Sequence, residues 1–329
     1  MSRLLSTVSA ITFIAGTYAS ADIPKVVADI APIHSLVSRV MDGVGEPKLI
    51  VPNETSPHDY RLRPADAEAI ENANLVFWMG EGLTPWMERA LEALSNDTDI
   101  IEFLALEEST LLSFREGALF EAHDHSDHDD HDKDHDDHDD HDDHDDHDDH
   151  DDHAGHDHGE YDPHAWLSTN NAKTWLNVIA ARLSSIDPDN AGAYFANASE
   201  ARGEMDALDV EINTMLDPVR GGKFVVFHDA YQYFETVYDF PASGAISLGD
   251  ASDPSAARVA EIANRIKSEN IACVLSEPQF NAGLVKTVMG GTDATTEVID
   301  PLGFGIEPGK SLYPKLIRAM AQSLVNCLK

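Results

Sequence analysis

Two regions of the chain alternate short apolar runs with longer amphipathic segments. In residues 22–120 the apolar runs are IPKVVADIA, KLIVP, NLVFWMG and TDIIEF, and the helical patterns between them are PIHSLVSRVMDGV, LRPADAEAIENA and PWMERALEALS. Residues 218–329 repeat this style, with strand-like runs in KFVVFHDAYQYFE, IACVLSEPQF and TEVIDPLG and an amphipathic helix in SAARVAEIANRIKSEN. This order predicts an α/β protein in which each half is a mostly parallel sheet with flanking helices.

A different pattern lies between the two halves. Apolar residues recur at every third or fourth position from Phe195 to Met215. Asp187 followed by Pro188 is typical of a helix start, and Pro218 is expected to end the helix. The pattern predicts a helix of roughly 29 residues and about 43 Å.

A helix of that length exceeds what one small domain needs, so we expect it to join two lobes rigidly. With 329 residues, of which 42% are apolar, the chain is long enough for both. The predicted division is an N-terminal lobe at 22–186, a linker helix at 187–217 and a C-terminal lobe at 218–329. A break at Gly192 or Gly203 would give two helices instead of one.

Residues 1–21 have the pattern of an export signal. They contain a basic residue near the start, the apolar run LLSTVSAITFIAG, and small residues ending in Ala-Ser-Ala. These features predict a signal peptide cleaved before Asp22. An uncleaved anchor is the alternative, although the run is shorter than the ~20 residues that span a bilayer. We therefore expect an exported protein without membrane insertion. In an oxidising compartment the two cysteines of the chain could form a disulfide, and two free buried thiols are the alternative.

Residues 121–160 are dominated by histidine and aspartate, including the repeat HDDHDDHDDHDDHDDHDDH from His135 to His153. The segment holds 13 of the 17 histidines, and its 21 acids and one lysine contribute −20 to a net charge of −38. We expect it to be disordered, because it has almost no apolar surface to bury. Imidazoles and carboxylates suit weak binding of divalent metals, so the segment is interpreted as a collector, buffer or sensor of metal, with a solvating spacer as the alternative. The acidic balance argues against nucleic acid as a partner.

Four histidines remain: His34, His58, His164 and His228. Each is close to a point where a predicted strand or helix begins or ends, and the carboxyl edge of such sheets is where ligands bind. Any one of them fits a hydrogen-bonded loop histidine. Three neutral imidazoles with a carboxylate or a water would form a tetrahedral site that suits zinc better than manganese.

Five segments are informative: SPHDYRLRPAD, DPHAWLS, FVVFHDAYQYFE, SEPQF and VIDPLG. Their order and spacing closely resemble those of one protein family. This is the ZnuA family, the periplasmic zinc-binding proteins of ATP-driven zinc importers, within the cluster A-I metal-binding solute-binding proteins. The resemblance covers nearly the whole mature chain and includes an acidic, histidine-rich insertion. It implies two lobes joined by one long rigid helix, zinc in the cleft between them, zinc ligands at His58, His164 and His228, and pairing of Cys273 with Cys327.

The sequence leaves the identity of the fourth zinc ligand open. Some relatives carry a glutamate before the first motif histidine, where this chain has Pro57, which cannot ligate. Manganese-preferring relatives use an aspartate that corresponds to Asp300. Asp300 is therefore the first choice, water the second and His34 the third; a turn-capping role for Asp300 and a packing role for His34 are the alternatives.

Carboxylates near the ligands are candidates for orienting the imidazoles. Asp59 and Asp229 are each next to a ligand in sequence, and Glu277 in SEPQF is expected either to support the site or to face the transporter.

The sequence and the family resemblance favour a non-enzymatic, monomeric periplasmic carrier. It would bind zinc tightly in the cleft and deliver it to the membrane permease of an ABC importer. A zinc hydrolase is the alternative from another class, since three histidines and an open position can generate zinc hydroxide. The chain has no H-E-x-x-H motif to support it. A periplasmic metal buffer without a transporter is the third possibility.

Overall fold

The structure is a computed structural model of the chain. It describes residues 23–58, 60–95, 98–115, 161–247, 254–278 and 282–329. The predicted signal peptide and the predicted disordered segment 121–160 lie outside these ranges. Within them, no helix combines the length and the apolar character needed to cross a bilayer.

The first half of the chain folds around a four-stranded parallel sheet of order β2-β1-β3-β4. The strands are β1 (Val26–Ala28), β2 (Lys48–Leu49), β3 (Leu75–Trp78) and β4 (Asp99–Glu102). Helices α1 (Ala31–Val40), α2 (Pro64–Glu71) and α3 (Pro85–Leu94) connect them. The central strands β1 and β3 are buried along their whole length, as expected for a parallel sheet covered on both faces.

Two long helices follow: α4 (Thr169–Ile186) and α5 (Ala191–Leu216). The predicted long helix is thus present as α5, but its first turn is a separate 3-10 helix, Pro188–Asn190. The carboxylate of Asp187 accepts hydrogen bonds from the Asn190 amide at 2.8 Å and the Tyr194 hydroxyl at 2.7 Å. Asp187 therefore stabilises the bend between the two helices instead of capping α5.

Helix α5 runs without interruption through Gly192 and Gly203, so the alternative of two broken helices is wrong. Its buried stripe is displaced by one position at each end from the predicted one. Tyr194 and Leu216 are buried where the pattern predicted Phe195 and Met215, and Phe195 is 50% exposed.

The second half repeats the architecture of the first, with a parallel sheet of order β6-β5-β7-β8. The strands are β5 (Phe224–His228), β6 (Ala245–Ser247), β7 (Cys273–Ser276) and β8 (Thr295–Val298). The helices are α6 (Gln232–Tyr238), α7 (Ala256–Glu269), α8 (Ala282–Val288) and α9 (Leu312–Leu328). The predicted fold class, two parallel α/β lobes with one long helix, is confirmed; the exact lobe boundaries stay a prediction.

One hydrophobic core runs through both lobes. It includes Val26 of the first sheet, Met205 of α5, Phe224 of the second sheet and Leu316 of α9. Helix α5 packs against α1, α4 and α9, so it is embedded in the shared core and does not stand free between the lobes. A second, smaller cluster, which includes Val225 and Ile262, covers the other face of the second sheet.

The two cysteines form the predicted disulfide, and no cysteine is free. Cys273 begins β7 and Cys327 lies in the last turn of α9, with their Cα atoms 5.6 Å apart. The bond therefore fixes the C-terminal helix to the second sheet.

Asp29 is fully buried at the end of β1, where its carboxylate accepts hydrogen bonds from the backbone N–H of Ile30 and Met79 at 2.7 and 2.8 Å. Burial raises the pKa of Asp29 to about 7. Between pH 4 and 7 the folded chain then binds this proton more tightly than the unfolded chain, so stability falls as pH rises through that window. We expect the unfolding free energy of Asp29→Asn, relative to wild type, to increase by about 2–3 kcal/mol from pH 5 to pH 8. Urea denaturation at both pH values measures this.

Asp66→Asn is the matched control. Asp66 is also fully buried, but hydrogen bonds from Arg63 and Tyr60 outweigh the effect of burial and lower its pKa. It stays ionised from pH 5 to pH 8, so the difference between Asp66→Asn and wild type should not change in that range. Equal pH dependence of the two variants would contradict the assignment to Asp29.

Candidate metal centre

Three of the predicted histidines meet where the carboxyl edges of the two sheets come together. His58 lies in the loop between β2 and α2, His228 is the last residue of β5, and His164 directly precedes the short 3-10 helix Ala165–Leu167 that leads into α4. His164 and His228 are buried and His58 is half-buried. The structure thus brings together three residues separated by up to 170 positions in the sequence.

His164 and His228 face each other through their Nε2 atoms, which are 3.5 Å apart, with ring centroids 5.3 Å apart. Tetrahedral zinc with Zn–N bonds of 2.0–2.1 Å places two ligand nitrogens about 3.4 Å apart and the centroids of their rings about 5.2 Å apart. The observed separation of this pair therefore already matches the spacing of two imidazoles on one zinc ion.

The ring centroid of His58 is 6.2 Å from that of His164. This is about 1 Å more than a shared tetrahedral ion requires. Accordingly, among the side chains that the structure describes, no three His, Cys, Asp or Glu residues are close enough together to hold a metal ion. Ligation by all three imidazoles requires the His58 loop to approach the other two rings by about 1 Å.

The other nitrogens of the facing pair contact buried carboxylates. Nδ1 of His164 is 2.7 Å from Oδ1 of Asp162, and Nδ1 of His228 is 2.5 Å from Oε1 of Glu277. A proton on each Nδ1, donated to the carboxylate, leaves the lone pair on Nε2, which is the tautomer that a metal needs. Glu277 therefore contacts a histidine of the site, which is one of the two roles expected for it from the sequence. Asp162, two residues before His164, makes the same kind of contact and was not predicted from the sequence.

The two acids that adjoin ligands in sequence have other positions. Asp229 accepts hydrogen bonds from Arg115, with Nε–Oδ2 at 3.0 Å, and Arg115 also contacts Glu235 at 2.7 Å. The prediction that Asp229 partners a histidine is not what the structure shows, because this arginine occupies its carboxylate. Asp59 lies outside the described residues.

Asp300 lies at the same edge of the cleft, just after β8. Burial and the nearby charge of Glu277 raise its pKa. Burial, together with the charges of Glu277 and Asp300, raises the pKa of Tyr231 well above its ordinary value. Asp300 also accepts a hydrogen bond from the backbone N–H of Leu302 at 2.9 Å, so the turn-capping role considered for it is present as well.

His34 lies apart from this group, inside α1. Its Nε2 is 3.1 Å from the Pro47 carbonyl, and burial lowers its pKa. It lines a cavity of about 400 Å³ together with Asp42 and Lys310, and the lining includes none of the other three histidines. Its surroundings correspond to the packing role considered for it.

Two similar α/β lobes with histidines gathered in the cleft between them define the class of metal-binding solute-binding proteins. The family model of ZnuA, "Zinc-uptake complex component A periplasmic", matches residues 26–327. The chain belongs to this family.

Individual relatives agree with the family match over the full length. The high-affinity zinc uptake system protein ZnuA of Brucella abortus (strain 2308) is 46% identical over 332 residues, covering 100% of this chain and 99% of the relative. The protein of the same description from Paracoccus denitrificans (strain Pd 1222) is 46% identical over 311 residues, covering 94% and 93%. A crystal structure of ZnuA superposes with a TM-score of 0.71 at 22% identity, covering 94% of this chain and 100% of that one, which shows a common fold.

Proposed function

We propose that this protein is a high-affinity periplasmic carrier that takes one Zn²⁺ ion into the cleft through His58, His164 and His228. The observation that carries the proposal is the facing pair His164–His228, whose Nε2 atoms are 3.5 Å apart. Both imidazoles are oriented by buried carboxylates, so the lone pairs that a metal needs converge without further rearrangement.

Asp300 is the proposed fourth ligand. Three neutral imidazoles and one carboxylate complete a tetrahedral set that suits zinc, and the carboxylate offsets part of the ion's charge. The carboxylates of Asp162 and Glu277 lie behind the imidazoles and stabilise the bound cation further.

The proposed destination of the zinc is the permease of an ABC importer. The relatives are named as proteins of high-affinity zinc uptake systems, which supports transport and not catalysis. In this proposal the protein works as a monomer, is exported to the periplasm by its signal peptide and catalyses no reaction.

The proposed role of the histidine-rich segment is to collect, buffer or sense zinc at low affinity near the cleft. The described residues on either side of this segment contact each other near the metal centre. Ser113 pairs with Tyr161 in an isolated antiparallel bridge, and the backbone N–H of Asp162 donates to the Leu112 carbonyl at 2.9 Å. Asp162 is the partner of His164, so the described residues that flank the segment on both sides lie close to one of the proposed ligands.

The test is a zinc titration, with a competing chelator, of the full-length protein and of a variant lacking residues 123–158. We expect one tight site per chain in both proteins and additional weak sites only in the full-length one. Zinc at about 1,000 times its Kd should also stabilise the deletion variant by about 4 kcal/mol. Loss of the tight site on deletion would contradict the carrier and support a metal buffer instead.

A further inference from the structure

One buried amide side chain connects the loops that carry two of the proposed ligands. Asn53, which is 5% exposed, lies in the β2–α2 loop five residues before His58. Its Nδ2 donates to the backbone carbonyls of Gly303 at 2.5 Å and Ile306 at 2.8 Å. Those carbonyls belong to the loop that follows Asp300, so the contact crosses from one lobe to the other beside the metal centre.

A tryptophan side chain also donates a hydrogen bond to each of the two loops close to its ligand. The indole N–H of Trp86, in α3, donates to the Pro57 carbonyl at 2.8 Å, just before His58. The indole N–H of Trp166 donates to the Pro301 carbonyl at 2.8 Å, just after Asp300. Trp86 holds the first loop to its own lobe, whereas Asn53 joins the two ligand loops directly.

The position of the accepting carbonyls is itself fixed by the fold. Gly303 has a φ of +83°, and a Cβ there would lie 3.3 Å from the Leu312 side chain in α9. A primary amide has two N–H donors, and Asn53 directs its nitrogen at both carbonyls. Removing the amide would take one donor from each carbonyl and loosen the contact between the loops, although the Gly303 carbonyl also accepts the backbone N–H of Ile306 at 3.0 Å.

We propose that Asn53 is a positioning residue that controls how long zinc is retained, by making the His58 loop and the Asp300 loop move as one unit. This inference rests on the proposed zinc site. With the loops joined, the approach of His58 by about 1 Å carries the Asp300 loop with it, and both ligands must leave together. Without the joining amide, each loop keeps its indole contact but can move without the other, so zinc should dissociate faster.

The chain offers a control with the same hydrogen-bond chemistry in Asn197 of α5, which is half-buried. Its Nδ2 also donates to two backbone carbonyls, those of Val40 at 2.9 Å and Asp42 at 2.8 Å, at the end of α1. The same chemistry is thus lost in Asn197→Ala and Asn197→Asp, but neither carbonyl belongs to a loop that carries a proposed ligand.

The experiment compares Asn53→Ala, Asn53→Asp and the two Asn197 variants in the full-length protein. The zinc dissociation rate is measured by stopped flow with an excess of chelator, and the melting temperature of each variant is measured alongside. Residues that support metal ligands typically change affinity by about 10- to 100-fold, so we expect dissociation at least about 10-fold faster in the Asn53 variants. The Asn197 variants should stay within about twofold of wild type even where their melting temperatures fall as far.

Two further measurements separate a positioning role from a general loss of stability. Asn53→Ser keeps a single donor and should give an intermediate rate, which also covers the case in which Asn53→Asp does not fold. In an Asp300→Asn background, Asn53→Ala should accelerate dissociation less than it does in wild type, because both changes act through the same loop. Zinc dissociation rates of the Asn53 variants that match those of the Asn197 variants would overturn the inference. A double variant in which the rate increases of Asn53→Ala and Asp300→Asn simply multiply would also overturn it.

The proposed site can be judged independently in the same assay. If His228→Ala leaves zinc affinity unchanged, the proposed site itself is wrong. If His228→Ala removes tight binding while the Asn53 variants behave like the Asn197 variants, only the role of Asn53 is wrong.

Discussion

Replacing His228 with alanine is expected to weaken zinc binding by about 100- to 1,000-fold. A protein zinc site of four ligands has an apparent binding free energy of about 10–16 kcal/mol, so one ligand contributes about 3 kcal/mol. The loss also leaves the buried Glu277 carboxylate without its imidazole partner. The affinity should be measured by chelator competition on the tract-deleted protein, so that weak sites do not obscure the tight one.

His34→Ala is the control for this prediction. Like His228, His34 is a buried histidine with a hydrogen-bonded ring, but it lines a cavity that includes none of the other three histidines. His164→Ala should behave like His228→Ala, and His34→Ala should leave the zinc affinity within about twofold of wild type. A loss of affinity in His34→Ala comparable to that in His228→Ala would mean that the ligand set has been misassigned.

The second large effect concerns stability. Replacing both Cys273 and Cys327 with serine is expected to lower the unfolding free energy by about 4 kcal/mol, because the disulfide closes a loop with a sequence separation of 54. This corresponds to a fall in melting temperature of roughly 10 °C, measurable by calorimetry. Wild-type protein under reducing conditions should lose a similar amount.

Zinc affinity should nevertheless survive this double substitution. Cys273 begins β7, whereas Glu277 follows its last residue, so the disulfide and the metal centre lie at opposite ends of the strand, about 13 Å apart. A double-serine variant that folds but loses its zinc affinity would show that the disulfide also shapes the cleft.

Much of the fold follows from local patterns, because the apolar runs and helical spacings reflect burial along each element. Helix α4 was missed although its signals are present. Ser168 caps it by accepting a hydrogen bond from the N–H of Asn171 at 3.2 Å, and Trp175, Ile179 and Leu183 follow at four-residue spacing on its buried face. By contrast, the one-residue shift of the buried stripe of α5 depends on which neighbouring helices it packs against, and no local pattern specifies that.

Some features of the candidate site could likewise be predicted from the sequence, and others could not. The placement of His58, His164 and His228 in or next to the connections between elements could be predicted, because parallel strands present their carboxyl ends at a common edge. The contact between Asn53 and Gly303 joins residues 250 positions apart and has no periodic signature. Similarly, adjacency in sequence suggested Asp229 as a histidine partner, but Arg115 occupies that carboxylate from a distance of 114 positions.

The bridge between Ser113 and Tyr161 has a practical consequence for engineering. The hydroxyl of Tyr233 in α6 also accepts a hydrogen bond from the backbone N–H of Leu112 at 3.0 Å. The residues on either side of the insertion are therefore held to each other and to α6. Each doubling of an inserted length costs only about 0.6 kcal/mol in closure entropy. A fluorescent domain spliced between residues 115 and 161 should therefore be tolerated, and its attachment next to Asp162, the partner of His164, suits it to reporting zinc binding optically.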